Sequence, residues 1–345
     1  MLRRFPVTTH ELTQAVPDEL SGVRLQDFLE RTWPAADRLF LRRLVAEGRA
    51  TVNYTACRPQ QRLKPGDWIR LELPEDAPSL PSRRELGSPV AEAGLTVIAE
   101  ADFALVIDKP AGLPCVPDRA GRTPGVHGML PDLRRDDDLR IAHRIDRWTS
   151  GCLVLAKGLE GARWLDHAFR ERLVDKEYLA LVEGVVVRDR FSITRPLGPD
   201  RRRPGKVVVT REGQKGSRSA QTDVEVVERF ARHTLLRLRP RTGRGHQIRV
   251  HLRSAGHPIV ADLDYGASGP LLLSSLKPGY KVRVGVVEQP LLARMFLHAS
   301  RIAVPSPDGG QPLVAESKLP GELSLALDKL RRFALRRSPV RERPR

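Results

Sequence analysis

The sequence is poor in cysteine and lacks the short cysteine spacings that build metal and redox sites. Its 345 residues include three cysteines, Cys57, Cys115 and Cys152, and no CxxC pair. Thiols so far apart in the chain favour neither a disulfide framework nor a zinc site. We therefore expect a protein of the reducing cytoplasm that holds no structural metal.

Long apolar runs and nucleotide-binding loops are also missing. The longest apolar runs are far shorter than a membrane-spanning helix, and the first residues, MLRRFPVTTHELTQ, lack the apolar segment of a secretory signal. No basic helix has an apolar face of the membrane-anchor type. There is no glycine-rich phosphate loop, no P-loop lysine and no nicotinamide fingerprint. These absences predict a cytoplasmic protein that binds neither a membrane nor a nucleotide or redox cofactor.

Acidic residues are too few to balance the basic ones. The chain has 59 lysines and arginines against 42 aspartates and glutamates, a formal net charge of +17. Folding does not require such an excess, whereas the resulting positive field attracts a polyanion. Nucleic acid is the first candidate for that partner.

The most informative stretch lies at residues 143–151 and has the sequence HRIDRWTSG. It places Asp146 between Arg144 and Arg147, and the Thr-Ser-Gly sequence turns the backbone directly afterwards. The apolar run at 153–156 predicts that a buried strand follows. A carboxylate on a turn into such a strand is rigidly held, and flanking guanidinium groups favour its ionised form. A plain Asp–Arg pair that closes a loop is the ordinary alternative.

Two further stretches carry side chains suited to chemistry. Residues 175–184, DKEYLALVEG, present Tyr178 on a predicted strand, where its ring offers a stacking face. Residues 241–252, RTGRGHQIRVHL, present Arg249 on a predicted helix and are followed by GHPI at 256–259. The ordinary alternative for Tyr178 is a half-buried strand tyrosine.

The histidines of this third stretch allow a zinc site to be considered. His246 and His251 have an H-x4-H spacing, which separates the two rings around a helix, and His257 follows in the next turn. Hydrogen bonding within a polar helix or turn is the better interpretation, and we expect no metal ligand. Helical spacing also places His246, Arg249 and Arg253 on one face.

In this order, the three stretches resemble the catalytic motifs of the RluA family of RNA pseudouridine synthases. The resemblance extends over roughly residues 95–315. It implies that Asp146 is the catalytic carboxylate, that Tyr178 packs against the flipped base, and that Arg249 pairs with Asp146. It also implies that Arg144 enters the gap left by that base. Pseudouridine formation is redox-neutral and releases nothing, so no cofactor is expected.

Two positions depart from the family pattern. Trp148 stands where most members have an acidic residue, and Cys152 replaces a usual leucine. Because Trp148 lies close to Asp146 in the sequence, we expect it to alter RNA contacts or the choice of substrate.

The chain is predicted to be an α+β protein of two domains. Residues 94–315 form the catalytic domain, a pseudouridine-synthase-type mixed, largely antiparallel sheet with flanking helices. Residues 20–75 form a small N-terminal α/β domain that resembles the S-four-type RNA-binding domain and has a basic helix at 38–48. A proline-bearing linker is predicted at 76–93, and a basic, partly disordered tail at 328–345.

Hydrophobic periodicity predicts the main elements of the catalytic domain. These are strands at 95–99, 103–107 and 296–304, strand-rich stretches at 176–187 and 222–240, and helices at 160–173 and 244–255. The strand at 296–304 is expected to be the last element of the domain.

Basic side chains outside the motifs are candidate RNA contacts. The segment from Arg195 to Ala220 holds eight basic and two acidic residues and predicts a flexible positive hairpin along an RNA backbone. A solvated loop is the ordinary alternative. The candidate RNA-binding residues are Arg38, Arg42, Arg43, Arg144, Arg201, Arg202, Arg203, Lys206 and Arg244.

We expect a monomeric RNA pseudouridine synthase that isomerises specific uridines in structured RNA. Ribosomal RNA is favoured because a structured RNA can contact a second basic surface of the protein. Transfer RNA is the alternative substrate. One rival function is a catalytically silent RNA-binding or ribosome-assembly protein. The other rival is a hydrolase that uses Ser150 with His143 and Asp146, but three triad members within eight residues rarely converge.

Overall fold

A computed structural model describes residues 10–16, 22–32, 38–53, 55–64, 67–73, 95–116, 125–134, 138–203, 205–280 and 288–334. The described residues up to position 73 form one compact unit, and those from position 95 onward form another. The predicted linker at 76–93 lies outside the described residues. None of the helices in the described ranges combines the length and the apolar character of a membrane span.

The first unit combines two helices with a four-stranded antiparallel sheet of order β1-β4-β2-β3. Its elements are β1 (His10–Ala15), α1 (Leu25–Thr32), α2 (Arg38–Ala46), β2 (Ala50–Val52), β3 (Thr55–Ala56) and β4 (Trp68–Leu73). Both helices lie where the periodicity predicts them. The predicted start of the domain at residue 20 is wrong, because β1 pairs with β4 from His10 opposite Leu73 to Ala15 opposite Trp68.

Apolar residues at helical spacing hold the two helices on this sheet. The buried positions are Leu25, Phe28 and Leu29 on α1 and Leu41, Leu44 and Val45 on α2. Each such side chain stabilises the unit by about 1.5–3 kcal/mol when it leaves water. The outer face of α2 keeps its basic character, because Arg42 and Arg43 are exposed. The side chain of Arg38 lies outside the described residues.

The second unit contains the remaining described elements. Its strands are β5 (Thr96–Glu100), β6 (Ala104–Lys109), β7 (Leu139–Ile141), β8 (Ser150–Lys157), β9 (Asp175–Glu183), β10 (Arg190–Ile193), β11 (Leu197–Pro199), β12 (Val207–Val209), β13 (Thr222–Arg229), β14 (His233–Pro240), β15 (Leu297–Val304) and β16 (Leu313–Glu316). Its α-helices are α3 (Leu130–Leu133), α4 (Gly158–Arg170), α5 (Gln247–Ser254), α6 (Leu273–Leu276) and α7 (Gly321–Phe333).

Ten of these strands form one mixed sheet. The path is β10-β13-β14-β9-β15-β8-β6-β5, with β16 paired to β15 and β7 paired to β8. The pairing of β15 with β8 is parallel, and the other pairs of this sheet are antiparallel. The remaining two strands, β11 and β12, form a separate hairpin. The predicted fold class, a mixed and largely antiparallel sheet with flanking helices, is confirmed.

Strand β8 is buried along nearly its whole length because side chains cover both of its faces. Alternate side chains point to opposite faces of a strand, and Cys152, Val154 and Ala156 pack in one apolar cluster with Leu165 and Ala168 of α4. Cys152, which departs from the family pattern, therefore fills a core position as a small apolar residue. A strand held this firmly gives the loop before it a rigid support.

The end of the described chain differs from the prediction. Strand β15 is not the last element, because β16 and α7 follow it. The predicted tail is wrong for residues 328–333, which belong to α7, and Leu330 is fully buried. Apolar residues at helical spacing on α7 pack into the core and outweigh the basic residues between them. Residues 335–345 lie outside the described residues.

Candidate active site

A cleft of about 1020 Å³ opens in the second unit, and all three sequence motifs line it. The loop before β8 provides Asp146, strand β9 provides Tyr178, and helix α5 provides Arg249. Sheet pairing sets this convergence, because Tyr178 lies opposite Ala299 of β15 and β15 pairs with the start of β8.

Hydrogen bonds connect the loop that carries Asp146 to the end of β6 and the turn after it. The fully buried Lys109 donates from Nζ to the carbonyl oxygens of Pro110 and Leu113, each at 2.8 Å, and of Arg147 at 3.2 Å. The Gly112 amide also donates to the Arg147 carbonyl at 2.8 Å, and Arg147 Nε donates back to the Gly112 carbonyl at 2.9 Å. Burial lowers the pKa of Lys109 to about 7, while three carbonyl acceptors match the three N–H donors of an ammonium.

Arg249 joins Asp146 to two further carboxylates. Its Nη1 donates to Asp146 Oδ2 at 3.2 Å, and its Nε and Nη2 grip Asp262 in a bidentate pair at 2.7 Å each. Nη2 also donates to Asp264 Oδ2 at 3.1 Å. Burial acts to lower the pKa of Arg249, but the three carboxylates outweigh it and the pKa is raised. The guanidinium therefore stays charged and fixes the direction of Asp146.

Tyr178 lies half-buried on β9, between Leu238 of β14 and Ala299 of β15. Its ring lines the cleft and also packs against the main apolar cluster. Burial raises the pKa of Tyr178, and the charge of Asp146 adds to that shift. The phenol therefore keeps its proton near neutral pH, and its ring presents an apolar wall to the cleft.

The three histidines of the third motif point to different partners. His251 Nδ1 contacts Thr222 Oγ1 at 2.9 Å and its Nε2 contacts the Arg195 carbonyl at 2.9 Å, while His257 Nδ1 lies 3.0 Å from the Glu183 carbonyl. His246 precedes α5 rather than lying on the same helical face as Arg249. Within the described ranges, no group of three or more possible metal ligands converges.

The residues of the alternative hydrolase triad do not meet. Ser150 Oγ lies 3.0 Å from His298 Nδ1 and accepts a hydrogen bond from Arg294 at 3.2 Å. His143 Nε2 instead accepts the Val154 amide at 3.1 Å, and burial lowers the pKa of His143 to about 3. His143 is thus a neutral structural acceptor and not a base beside Ser150.

The predicted RNA-binding arginines and lysine have different surroundings. Arg144 is exposed at the cleft, and Arg244 lines it while donating from Nε to the Ser219 carbonyl at 3.1 Å. In the β11–β12 hairpin, Arg203 pairs with Asp200 at 2.8 Å and Lys206 pairs with Asp264. The exposed candidates also include Arg201 and Arg202 in the hairpin and Arg42 and Arg43 on α2.

Four cleft arginines were not singled out from the sequence, namely Arg170, Arg172, Arg239 and Arg241. They lie at or just beyond the ends of α4 and β14, and only the folded sheet brings those ends to the cleft. Arg241 also opens the third motif, but the sequence did not indicate a role for it. The partners Asp262 and Asp264 were missed as well. Their signal was present, since the segment ADLDY, one residue after the GHPI motif, places two aspartates close together in the sequence.

Trp148, which we expect to alter RNA contacts or the choice of substrate, is not among the residues that line the cleft. Its side chain packs against the main apolar cluster, and the Arg147 guanidinium lies 5.4 Å from the ring centroid. Its carbonyl oxygen accepts a hydrogen bond from Arg294 at 3.3 Å. The effect of this residue on RNA contacts remains a prediction.

Comparison with known proteins shows that nearly the whole chain is similar to RNA-modifying enzymes. The profile of the RNA pseudouridylate synthase family matches residues 103–254. Ribosomal large subunit pseudouridine synthase D of Neisseria meningitidis is 32% identical over 94% of this chain and 83% of its own length. Ribosomal large subunit pseudouridine synthase C of Escherichia coli K12 is 33% identical over 92% of this chain and 96% of its own length.

A solved structure agrees with these sequence matches. Human RNA pseudouridylate synthase domain containing 4 superposes with a TM-score of 0.54 and 26% identity, over 70% of this chain and 94% of the human one. Extended identity, the family profile and the shared fold all point to the same class of enzyme. This protein belongs to the RluA family of RNA pseudouridine synthases.

Proposed function

We propose that this enzyme isomerises a specific uridine of large-subunit ribosomal RNA, with Asp146 as its catalytic carboxylate. The position of Asp146 supports this assignment most strongly. One of its carboxylate oxygens is held by the buried Arg249, while its side chain remains 23% exposed toward the cleft. A carboxylate placed in this way is fixed in direction and accessible to a nucleotide.

The reaction breaks the bond between C1′ of the ribose and N1 of uracil and forms a bond between C1′ and C5, while C5 loses its hydrogen as a proton and N1 gains one. An anionic group is needed at the sugar or the base, and Asp146 provides it. The target nucleotide must first leave its stack, which costs a few kcal/mol. Tyr178 offers the ring against which the extracted base packs. The exposed Arg144, on the loop that carries Asp146, occupies the gap that this base leaves in the RNA stack.

Two features support ribosomal RNA as the substrate class. The relatives that span nearly the whole chain are named for the ribosomal large subunit. In addition, the first unit carries exposed arginines on α2, and the cleft of the second unit is lined by several more. Structured RNA offers phosphates to both basic regions, and each phosphate contact adds affinity.

The assignment of Asp146 is tested by Asp146→Asn. Asn preserves the shape of the side chain but cannot act as an anionic nucleophile or base, so we expect turnover to fall by at least roughly a thousandfold. RNA affinity should stay within a few fold. Asp328→Asn, an exposed change on α7, is the matched control. Substantial turnover by purified Asp146→Asn protein would show that another group does the chemistry.

The substrate class is tested by mapping pseudouridines in a strain that lacks the gene. We expect one or more large-subunit sites to lose the modification, wild-type protein to restore it, and Asp146→Asn protein to leave it missing. Loss confined to transfer RNA would contradict the ribosomal assignment and leave that of Asp146 intact.

A further inference from the structure

His246 lines the cleft and has a strained backbone conformation. Its backbone is left-handed, with φ of 53°, directly before α5. A residue with a Cβ rarely adopts this conformation, and such strain is concentrated at functional sites. The conformation places the imidazole between Asp146 and Tyr265, where it lines the cleft and remains 27% exposed.

A hydrogen-bond chain sets the tautomer of His246. The Val207 amide donates to Tyr265 Oη at 3.0 Å, and Tyr265 Oη lies 2.7 Å from His246 Nδ1. Among the hydrogen bonds of the described residues, the phenol hydrogen has His246 Nδ1 as its one available acceptor, so we assign Tyr265 as the donor of this bond. The ring hydrogen of the neutral imidazole is then on Nε2.

The surroundings of His246 keep its ring neutral. Burial lowers the pKa of His246, and the charges of Arg249 and Lys206 act in the same direction. The opposing charges are those of Asp146 and Asp264. The net direction is downward, so near neutral pH the imidazole is a single N–H donor at Nε2.

The Nε2–H group faces the oxygen of Asp146 that Arg249 does not hold. Arg249 binds Oδ2, whereas Oδ1 lies 3.9 Å from His246 Nε2. This separation is too long for a direct hydrogen bond. A hydroxyl oxygen can lie about 2.8 Å from both atoms, accepting from Nε2–H and donating to Oδ1.

We propose that His246 is a catalytic residue that binds the 2′-hydroxyl of the target ribose together with Asp146. The 2′-hydroxyl is attached to the carbon next to C1′, so a nucleotide that presents C1′ to Asp146 brings this hydroxyl into the gap. The pair of contacts holds the ribose in register while the base is released and turned. The inference rests on the proposed role of Asp146.

The experiment uses two RNA fragments that span the mapped ribosomal site, one with uridine and one with 2′-deoxyuridine at the target. Single-turnover rates and dissociation constants are measured for wild-type protein, His246→Phe and His246→Gln. Phe removes the donor, whereas the Gln amide nitrogen replaces Nε2. We expect His246→Phe to lower the single-turnover rate on the uridine RNA about tenfold and to change the rate on the deoxyuridine RNA by less than about threefold. His246→Gln should recover part of the loss.

A structural role for His246 predicts a different pattern. If His246 only holds Tyr265 and the start of α5 in place, its replacement lowers the single-turnover rate on both RNAs by the same factor. Equal losses of rate on the two RNAs would therefore overturn the proposal. If the deoxyuridine RNA is not turned over, the affinities decide the question. Wild-type protein should prefer the uridine RNA by several fold and His246→Phe should not, and an unchanged preference would overturn the proposal. An active Asp146→Asn protein would instead contradict the assignment of Asp146 itself.

Discussion

At the scale of single residues, the site depends on the planar geometry of one arginine. Arg249 presents Nη1 to Asp146 while Nε and Nη2 grip Asp262, which is 2% exposed. Its guanidinium carbon also lies 4.6 Å from the centroid of the Tyr265 ring. A single point charge cannot satisfy these directions together, so the charge and the shape of Arg249 are both required.

We therefore expect Arg249→Lys to be a severe change despite its conserved charge. Lysine leaves the buried Asp262 without its bidentate partner and releases Asp146, so the free energy of unfolding should fall by about 3 kcal/mol. Turnover should fall at least roughly a hundredfold. Denaturant titration and single-turnover kinetics measure the two effects. Arg301→Lys, in an exposed pair with Glu316, is the control and should be nearly neutral. Similar losses of unfolding free energy and of turnover in both variants would contradict the requirement for the guanidinium shape of Arg249.

At the scale of elements, the loop that carries Asp146 depends on close contact between β8 and β15. The two strands run parallel, with Gly151 opposite Ala299. Gly151 has a φ of 108°, and a Cβ added there would lie 2.2 Å from the Ala299 carbonyl oxygen. Only glycine allows the two backbones to approach this closely at the base of the site.

Gly151→Ala should accordingly destabilise the second unit and displace Asp146. Backbone atoms cannot yield as a flexible side chain does, so we expect a loss of about 3 kcal/mol or more in unfolding free energy. Gly158→Ala is a matched control, because Gly158 also has a positive φ but has no atom within 4 Å of its added Cβ. It should lose only about 1 kcal/mol. Equal melting temperatures for the two variants would contradict the crowding argument.

At the scale of the whole molecule, the positive charge is divided between two regions. Arginines line the cleft of the second unit, and a further pair lies exposed on α2 of the first. Arg43 pairs with Glu47 at 2.9 Å, which is a weak exposed interaction and leaves the guanidinium available to a phosphate. The resemblance of the first unit to the S-four-type domain remains a prediction.

If α2 contacts the RNA backbone, replacing Arg42 and Arg43 together with glutamine should flatten the salt dependence of RNA binding. Each lost phosphate contact reduces the slope of log affinity against log salt by roughly 0.7 to 0.9. Filter-binding titrations over a range of salt concentrations measure the slope. Glutamine at Arg163 and Arg188, both exposed in the second unit outside the cleft lining, is the control. An unchanged slope for the α2 variant would mean that this helix does not touch the RNA.

The sequence by itself was enough for the family, the fold class and most of the elements. Amphipathic spacing predicted α1, α2 and α4, and the motif around Asp146 pointed to the chemistry without any structure. These features depend on residues near one another in the chain, where periodicity and turn chemistry act directly. The prediction for the end of α7 was wrong, because the basic residues there concealed an apolar face with helical spacing.

Only the tertiary structure decided which side chains meet. Asp146 and Arg249 are separated by 103 positions, and the sheet register and the docking of α5 bring them together. The pairing of Arg249 with Asp262 and Asp264 and the orientation of His246 toward Asp146 also depend on packing, because the sequence shows the acidic residues but not what they contact. Lys206 likewise pairs with Asp264, a partner that the sequence did not indicate. Long-range contacts follow from how elements pack rather than from the pattern of any one element, so only the folded structure shows them.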